Sequence, residues 1–420
     1  MQEKTGSLNK DSRLFYGYVV VASAFLVTAA LYGAAFSFGV FIEPMRTEFG
    51  WGSAWLSGAF SLALLVSGSF GILAGRLSDR FGPRSIVLVC NVSLGLGYVL
   101  TSRIHCLWQL YLFFGLMVGM GMSAGIAPLE STVVRWFFRR RGLMVSIFLM
   151  GMTTGEMIGP PLANWLIFHH GWRAAFLILG VVSFFIVFVS SLFLKSNPAE
   201  IGERPYGAGE DAPDSWIPQG ELMFREAFCT REFWLLGAFF FCFYLTYMIT
   251  LVHIVPHTIN VGISPRTGAL LLTIINLMAT GARIPEGFLA DRIGVWKTAV
   301  IVTSLLMTSF LWLSLTDHSI GAFFVFAVLF GLTIASMDLL LTLFASELFG
   351  LAAVGTIIGF LDFMLGLGGA TGPVISGHIF DSTGSYHPAF LLCTIVSATA
   401  LGMLFLLRTA SSRTSQHKRN

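Results

Sequence analysis

The chain has 420 residues, of which 55% are apolar and only 11% are charged, and its mean hydropathy is +0.79. So few polar side chains cannot cover a water-soluble protein of this size, and the composition therefore places the chain in a lipid bilayer. The formal charge of +3 gives no sign of a nucleic-acid partner. The five cysteines are scattered without metal-ligand spacing, so we expect no metal site and no cofactor.

Twelve apolar runs of roughly twenty residues follow one another and predict an all-α, polytopic membrane protein with twelve transmembrane helices. The predicted spans are 16–42, 54–75, 84–103, 108–133, 142–166, 173–194, 233–257, 266–289, 297–316, 319–345, 352–377 and 386–408. The long polar connector 195–231 separates spans 6 and 7. We therefore expect a six-helix half at 1–194, a cytoplasmic linker at 195–231 and a second six-helix half at 232–420.

The basic residues favour one orientation of these spans. With both termini in the cytoplasm, twenty Lys and Arg residues lie on the cytoplasmic side and four on the outer side. Arg283 is left over inside span 8. The apolar run that begins at Tyr16 is far longer than the core of a signal peptide, so we expect it to remain as a membrane anchor.

Two loops share a motif. The loop between spans 2 and 3 reads Gly75-Arg-Leu-Ser-Asp79-Arg80-Phe-Gly82-Pro-Arg84. The loop between spans 8 and 9 reads Gly287-Phe-Leu-Ala-Asp291-Arg292-Ile-Gly294-Val-Trp-Lys297. The same offset of 212 residues takes Pro161 in span 5 to Pro373 in span 11. A register kept over half the chain indicates a duplication that gives two equivalent six-helix halves.

The repeated loop and the two-half organisation resemble the major facilitator superfamily over nearly the whole chain. Several further motifs resemble its monocarboxylate and oxalate/formate branch. They include Tyr16-Gly-Tyr-Val-Val, Arg135-Trp-Phe-Phe-Arg-Arg-Arg-Gly142, Gly171-Trp-Arg-Ala-Ala-Phe176 and Gly372-Pro-Val-Ile-Ser-Gly377. This resemblance implies a rocker-switch carrier for a small monocarboxylate such as lactate or pyruvate, moved together with a proton.

The repeated loops are candidate gating latches. The candidates are Gly75, Asp79, Arg80, Gly82, Arg84, Gly287, Asp291 and Arg292. Their carboxylates can accept hydrogen bonds from a neighbouring helix N-terminus, and their guanidinium groups can reach carboxylates or lipid phosphates. The alternative is a pair of tight turns with ordinary positive-inside charge. The nearby acids Glu130 and Glu286 are expected to brace these loops.

Arg283 is the candidate substrate anchor. It lies about six residues, roughly 9 Å, from the cytoplasmic end of span 8. A buried guanidinium must face water or a partner, and its planar fork matches a carboxylate. The family resemblance assigns the substrate carboxylate to an arginine at this position. The alternative is a permanent ion pair with Asp338 or Asp362, which lie at a similar depth.

Other residues can complete such a site. Glu156 in span 5 and the acids Asp338 and Asp362 are candidates for carrying a proton, although Glu156 can equally be a structural, protonated side chain. Further candidates for lining the substrate, which can equally be packing residues, are Asn276, Tyr32, Phe36 and Tyr247.

The chain also departs from the branch. The lysine that many monocarboxylate transporters carry in span 1 aligns with Phe36, and the acid before the span 8 arginine aligns with Ala279. Span 11 offers Asp362 where oxalate carriers have a basic residue. One cation with several acids suits a monoanion better than a dianion.

Three other functions remain open from the sequence: anion exchange of the oxalate/formate type, proton-driven export of a cationic or amphiphilic compound, and a sensor built on a transporter fold. An enzyme is not expected, because no catalytic grouping appears. We expect a monomer in a plasma membrane, with both termini cytoplasmic and a bacterial inner membrane favoured by the compact loops. Its expected partners are a small carboxylate substrate, protons and membrane lipid, and not nucleic acid.

Overall fold

The structure, a computed structural model, describes residues 15–208, 223–316 and 319–417. Over these residues the chain is almost entirely helical, and one isolated β-bridge joins Phe137 to Tyr206. Eleven continuous helices in the described part are long and apolar enough to cross a membrane. The predicted all-α membrane fold is therefore confirmed. Residues 209–222 of the predicted linker lie outside the described residues.

One of the eleven helices contains two of the predicted spans. Residues Arg141–Ser191 form 51 continuous helical residues, but Gly171 in the middle has φ 78° and ψ 160°, a conformation open almost only to glycine. The chain turns there, so this helix accounts for spans 5 and 6 together. The twelve long helices of the described part are α1 (Tyr16–Phe49), α2 (Ser53–Phe81), α3 (Pro83–Thr101), α4 (Leu107–Trp136), α5 and α6 (Arg141–Ser191, divided at Gly171), α7 (Arg231–Asn260), α8 (Pro265–Ile293), α9 (Val295–Leu315), α10 (Ile320–Phe349), α11 (Val354–Thr383) and α12 (His387–His417).

The first helix is longer than the sequence predicts. The apolar run suggested 16–42, whereas α1 continues to Phe49 with an irregularity at Ser37. Polar residues such as Glu43 and Arg46 do not end the helix, because they form an i, i+3 ion pair on its exposed surface. The helix stops at Gly50, which adopts the left-handed conformation typical of a helix C-terminus.

Helices α4 and α10 are each broken partway along their length. In α4 the break spans 123–126 before the segment Ala127–Trp136, and in α10 it falls at Ala335 before Ser336–Phe349. Ser123 and Ala335 differ by 212 residues, so the breaks follow the internal repeat. Each second segment carries an acid in its first turn, Glu130 or Asp338, where a carboxylate complements the positive end of the helix dipole.

The helices pack in equivalent pairs. Helix α1 packs along α5 and α7 along α11, whereas α2 contacts α11 and α5 contacts α8 across the interface between the first six and the last six helices. In α5, Gly151, Gly155 and Gly159 recur every fourth residue and lie against the α1 backbone. A Cβ atom on Gly155 would lie 2.8 Å from the backbone nitrogen of Gly33. The absence of side chains here lets the two helices approach closely.

We expect Gly155→Leu to prevent stable folding, because the added side chain must separate α5 from α1 along this contact. The matched control is Gly39→Leu, since a Cβ at Gly39 has no atom within 4 Å. Size-exclusion chromatography and thermal unfolding in detergent compare the two variants. Wild-type stability in the Gly155→Leu protein would contradict the packing described above.

Candidate functional site

The two repeated loops lie at one end of the helix bundle, together with the linker segment 195–208. We call this the linker end. Here the carboxylate of Asp79 accepts hydrogen bonds from the backbone nitrogens of Gly355 (3.2 Å) and Thr356 (2.9 Å) at the start of α11. The Thr356 hydroxyl also donates to it at 2.9 Å. Asp79 thus joins α2 of the first half to α11 of the second.

The second loop makes the equivalent connection in the opposite direction. Asp291 accepts hydrogen bonds from the backbone nitrogens of Gly142 (2.7 Å) and Leu143 (2.9 Å) at the start of α5. Both aspartates therefore cap the N-terminus of a helix in the other half, where free N–H groups and the helix dipole favour an anion. We call these connections the α2–α11 latch and the α5–α8 latch.

Each latch depends on glycines that allow close backbone approach. A Cβ on Gly75 would collide with the carbonyl group of Gly355. A Cβ on Gly287 would lie 2.6 Å from the carbonyl oxygen of Gly142. One turn of helix separates each of these motif glycines from its aspartate, so the Gly-x-x-x-Asp spacing brings the carboxylate to the facing helix N-terminus. The repeated motif is therefore a pair of symmetric inter-half contacts.

The arginines of the repeated motif make fewer contacts between the halves than its aspartates do. Arg80 stacks over the ring of Phe81, 5.1 Å from its centroid, and Arg84 and Arg292 are exposed. Gly82, with φ 82°, makes the turn into α3. Among the described residues the ion pair of the α2–α11 latch comes from Arg135, whose Nη2 lies 2.6 Å from Asp79 Oδ1. The same nitrogen donates to the carbonyl oxygen of Leu351 at 3.2 Å.

Arg283 lies on α8 in the interior of the bundle and is 6% exposed. No carboxylate oxygen of the described residues lies within 4 Å of its guanidinium group, and Nε and Nη1 have no hydrogen-bond partner there. It remains within electrostatic range of acids on four helices, namely Glu130 on α4, Glu156 on α5, Glu286 on α8 and Asp338 on α10. The permanent ion pair considered above is absent from this conformation.

Three acids around Arg283 reach open space. Glu156, Asp338 and Asp362 are half-buried, and within the described residues their carboxylates make no hydrogen bond or ion pair. Glu156 of the first half interacts electrostatically with Asp338 of the second, and Asp338 with Asp362. These side chains therefore face one another across the interface between the halves.

Two further acids are buried beside this group. Glu130 is 1% exposed and Glu286 is 7% exposed, and the side chains that interact with their carboxyls include Thr342 and Ser336 of α10 respectively. Glu130 interacts electrostatically with Asp338, Asp362 and Arg283 rather than with the latches. The expectation that Glu130 and Glu286 brace the gating loops is therefore wrong. Arg135, the nearest cation to Glu130 in sequence, turns instead toward Asp79.

Aromatic side chains lie next to the acids. Tyr32 and Phe36 of α1 stack with their ring centroids 5.9 Å apart, and Tyr244 and Tyr247 of α7 lie 5.2 Å apart. Tyr32 is within electrostatic range of Asp362 and Asp338, and Tyr247 of Glu156, Asp338 and Arg283. The rings from the two halves therefore border the same group of charges.

Asn276 lies on α8 two turns before Arg283 and is exposed. Its amide nitrogen donates to the carbonyl oxygen of Leu272, 2.9 Å away and one turn back along the same helix. The side-chain amide is thus partly occupied by its own helix. It is the one predicted substrate residue whose polar group is directed to the backbone.

The structure brings together one unpaired guanidinium group, three reachable carboxyls and four aromatic rings. We call Arg283, Glu156, Asp338, Asp362, Tyr32, Phe36, Tyr244 and Tyr247 the central cluster. Its guanidinium group can bind a carboxylate in a bidentate manner, and its acids can hold a proton or a cation. Two equivalent halves that are latched at one end and carry this cluster between them define a membrane transporter.

Comparisons with known proteins agree with this class. The family model of the Major Facilitator Superfamily matches residues 24–313 and 240–420. The chain belongs to the major facilitator superfamily and resembles its monocarboxylate transporter branch. It is 30% identical to monocarboxylate transporter 11 of Mus musculus over 392 residues, covering 90% of this chain and 84% of that protein. It is 27% identical to monocarboxylate transporter 13 of Bos taurus over 402 residues, covering 93% and 89%.

Solved structures show the same fold. The proton:xylose symporter XylE superimposes with a TM-score of 0.74 at 13% identity, covering 93% of this chain and 95% of that one. The fucose transporter FucP in its outward conformation gives a TM-score of 0.70 at 13% identity, covering 93% and 99%. These similarities establish the architecture. The match to the Major Facilitator Superfamily and the monocarboxylate transporter relatives define the protein as a transporter and not an enzyme.

Proposed function

We propose that this protein is a proton-coupled carrier that moves a small monocarboxylate of the lactate or pyruvate kind across the membrane by alternating access. Arg283 binds the carboxylate of the substrate. Tyr32, Phe36 and Tyr247 line its organic part. The relatives named monocarboxylate transporters support this class of substrate.

The observation that carries the proposal is the unpaired state of Arg283. A guanidinium group that is 6% exposed and has no carboxylate within 4 Å in the described chain bears a large desolvation cost without compensation. A substrate carboxylate supplies two parallel hydrogen bonds and the missing charge. If Arg283 were paired to Asp338, the two side chains would instead form a structural ion pair, and the guanidinium group would not be available to a substrate.

The half-buried acids supply the coupling. Each can be neutral when protonated or charged when it faces a cation, and the three lie between the two halves. We assign the transported proton to Asp338, which interacts electrostatically with Arg283, as Glu156 also does. Protonation of Asp338 removes a negative charge that would repel a carboxylate arriving at Arg283, so that proton and carboxylate travel together.

The formation and breaking of the two latches switch the protein between a state closed toward the cytoplasm and a state open toward it. With the linker end on the cytoplasmic side, as the distribution of basic residues indicates, the conformation seen here is closed toward the cytoplasm at the α2–α11 and α5–α8 latches. Breaking both latches lets the halves rock about the central cluster. Each substrate then meets Arg283 from one side and leaves from the other.

The test uses purified protein in liposomes that contain a pH-sensitive dye, with lactate, pyruvate and other short monocarboxylates added outside. We expect internal acidification beyond that of empty liposomes. Asp338→Asn is expected to lower substrate-driven acidification at least about tenfold while carboxylate exchange continues, since exchange needs no net proton movement. The matched control is Asp381→Asn, an acid at the end of α11 that is exposed and remote from Arg283.

Exchange without acidification in the wild-type protein would contradict proton coupling and favour anion exchange. Absence of any carboxylate movement would contradict the proposal as a whole. Equal acidification by wild type and Asp338→Asn would contradict the assignment of the proton to Asp338 alone, and Glu156→Gln and Asp362→Asn then identify the acid responsible.

A further inference from the structure

The charges of the central cluster do not balance for a simple monocarboxylate. One guanidinium group faces three reachable carboxyls, and Glu130 and Glu286 lie buried beside them. A bound carboxylate neutralises Arg283, so each of these acids must then be protonated or face another positive charge. One coupled proton neutralises a single acid. A second positive group, which a lactate-like substrate lacks, would be stabilised by an acid that stays ionised.

The two acids that can bind such a positive group, Asp338 and Asp362, lie beside the proposed carboxylate-binding residue Arg283. Asp338 and Asp362 sit on neighbouring helices α10 and α11, interact electrostatically with each other, and are half-exposed. Their carboxylates make no hydrogen bond to the described residues, so a ligand can reach them. The buried, unpartnered Arg283 lies within electrostatic range of Asp338 and fixes the other end of the ligand next to it.

The rings beside these acids have the chemistry that recognises a cationic nitrogen. Tyr244 and Tyr247 from α7 and Tyr32 from α1 are all within electrostatic range of Asp338. Aromatic faces grouped around an acid attract an ammonium or quaternary ammonium group through the ring quadrupole. A substrate whose organic part is purely apolar could bind to the tyrosine rings, but it would make no use of the carboxylate of Asp338 beside them.

We propose that the preferred substrate is zwitterionic, with a carboxylate bound by Arg283 and a positively charged nitrogen bound between Asp338, Asp362 and the tyrosine rings. This inference rests on the proposed carboxylate transport and names its substrate class more narrowly. In this arrangement the charged nitrogen of the substrate supplies the positive charge that the ionised acids of the central cluster lack. An analogue that keeps the carboxylate but lacks the charged nitrogen then needs one more proton on the cluster than the zwitterion does.

The test compares probes that have the same shape and differ in charge. Trimethylammonioacetate has 3,3-dimethylbutanoate as the isostere that keeps the carboxylate but lacks the cationic nitrogen, and 4-aminobutanoate has pentanoate. Initial uptake of each radiolabelled probe is measured in liposomes containing wild-type protein, Asp362→Asn, Tyr247→Leu or Glu43→Gln. Glu43 is the matched control, because it is an exposed acid paired to Arg46 on the outside of α1.

We expect each zwitterion to enter at least about tenfold faster than its isostere through the wild-type protein. Asp362→Asn brings this ratio close to one, and Glu43→Gln keeps the wild-type ratio. Tyr247→Leu lowers the ratio for the trimethylammonium pair more than for the primary ammonium pair, because the ring contact contributes most to a quaternary group. Thermal unfolding of each variant identifies any that fail to fold.

Equal or faster uptake of the isosteres, with both probes still blocked by Arg283→Ala, overturns the zwitterion inference and leaves carboxylate transport in place. A ratio unchanged in Asp362→Asn also overturns it. If neither probe enters while lactate or pyruvate does, the zwitterion inference fails and the proposed carboxylate transport stands. If no carboxylate enters at all, the proposed function fails with it.

Discussion

Replacing Arg283 with alanine is expected to abolish carboxylate transport without destabilising the protein. Loss of one partner of a buried charged hydrogen-bonded pair costs about 2–5 kcal/mol of binding, so the apparent affinity falls roughly 30-fold or more. The fold loses no ion pair of the described residues, because no carboxylate lies within 4 Å of the guanidinium group. Removing a buried charge that lacks a partner in the empty protein leaves the melting temperature equal or higher.

Uptake of labelled lactate or pyruvate and thermal unfolding are measured on the same preparations. Arg266→Ala is the matched control, because Arg266 is exposed in the first turn of the same helix. Arg283→Lys keeps the charge but loses the planar fork, so we expect intermediate activity. A drop in stability of roughly 3–5 kcal/mol in Arg283→Ala would indicate a structural ion pair and contradict the anchor role.

Breaking both latches with Asp79→Asn and Asp291→Asn is expected to open the linker end and to slow transport at least about tenfold. Hydrogen bonds to a charged group contribute roughly 1.5–3 kcal/mol each, and each aspartate accepts two or more across the interface. Asp79 also loses its ion pair with Arg135. The closed state becomes too rare for a cycle that must visit both states.

Spin labels on Arg84→Cys and Arg292→Cys report the opening, since these exposed residues flank the two latches in opposite halves. The labels are placed in a background without the five natural cysteines. Pulsed electron paramagnetic resonance should show a longer distance in the double variant than in the parent, and carboxylate binding should persist. An unchanged distance distribution would contradict the role of the aspartates in holding the linker end closed.

Much of the fold follows from the sequence, because a bilayer leaves few alternatives to apolar helices. The hydropathy pattern predicted twelve spans, and the fold has them. The repeat offset of 212 residues predicted equivalent halves, and the paired breaks at Ser123 and Ala335 follow the same offset. Gly125 and Pro128 mark the break in α4, whereas no proline or glycine marks the break at Ala335 in α10, which local propensity alone could not predict.

The site was only partly predictable. Buried charges stand out in apolar spans, so Arg283, Asp338, Asp362 and Glu156 could be identified as anomalies, and the structure places them together. Arg135 was hidden in a run of four arginines within seven residues, where positive-inside charge is a sufficient explanation. Its pairing with Asp79 depends on the meeting of α4 and α2. Glu130 was misjudged because sequence distance brought it near Arg135, whereas the helix turns its side chain to the cluster.

The most direct test of the central claim is an experimental structure of the protein with a transported carboxylate bound. We expect both carboxylate oxygens within hydrogen-bond distance, about 2.7–3.2 Å, of the Arg283 guanidinium nitrogens. The aromatic rings of Tyr32 and Tyr247 should border the rest of the molecule. A carboxylate bound elsewhere, with Arg283 paired to Asp338 or Glu156, would contradict the account.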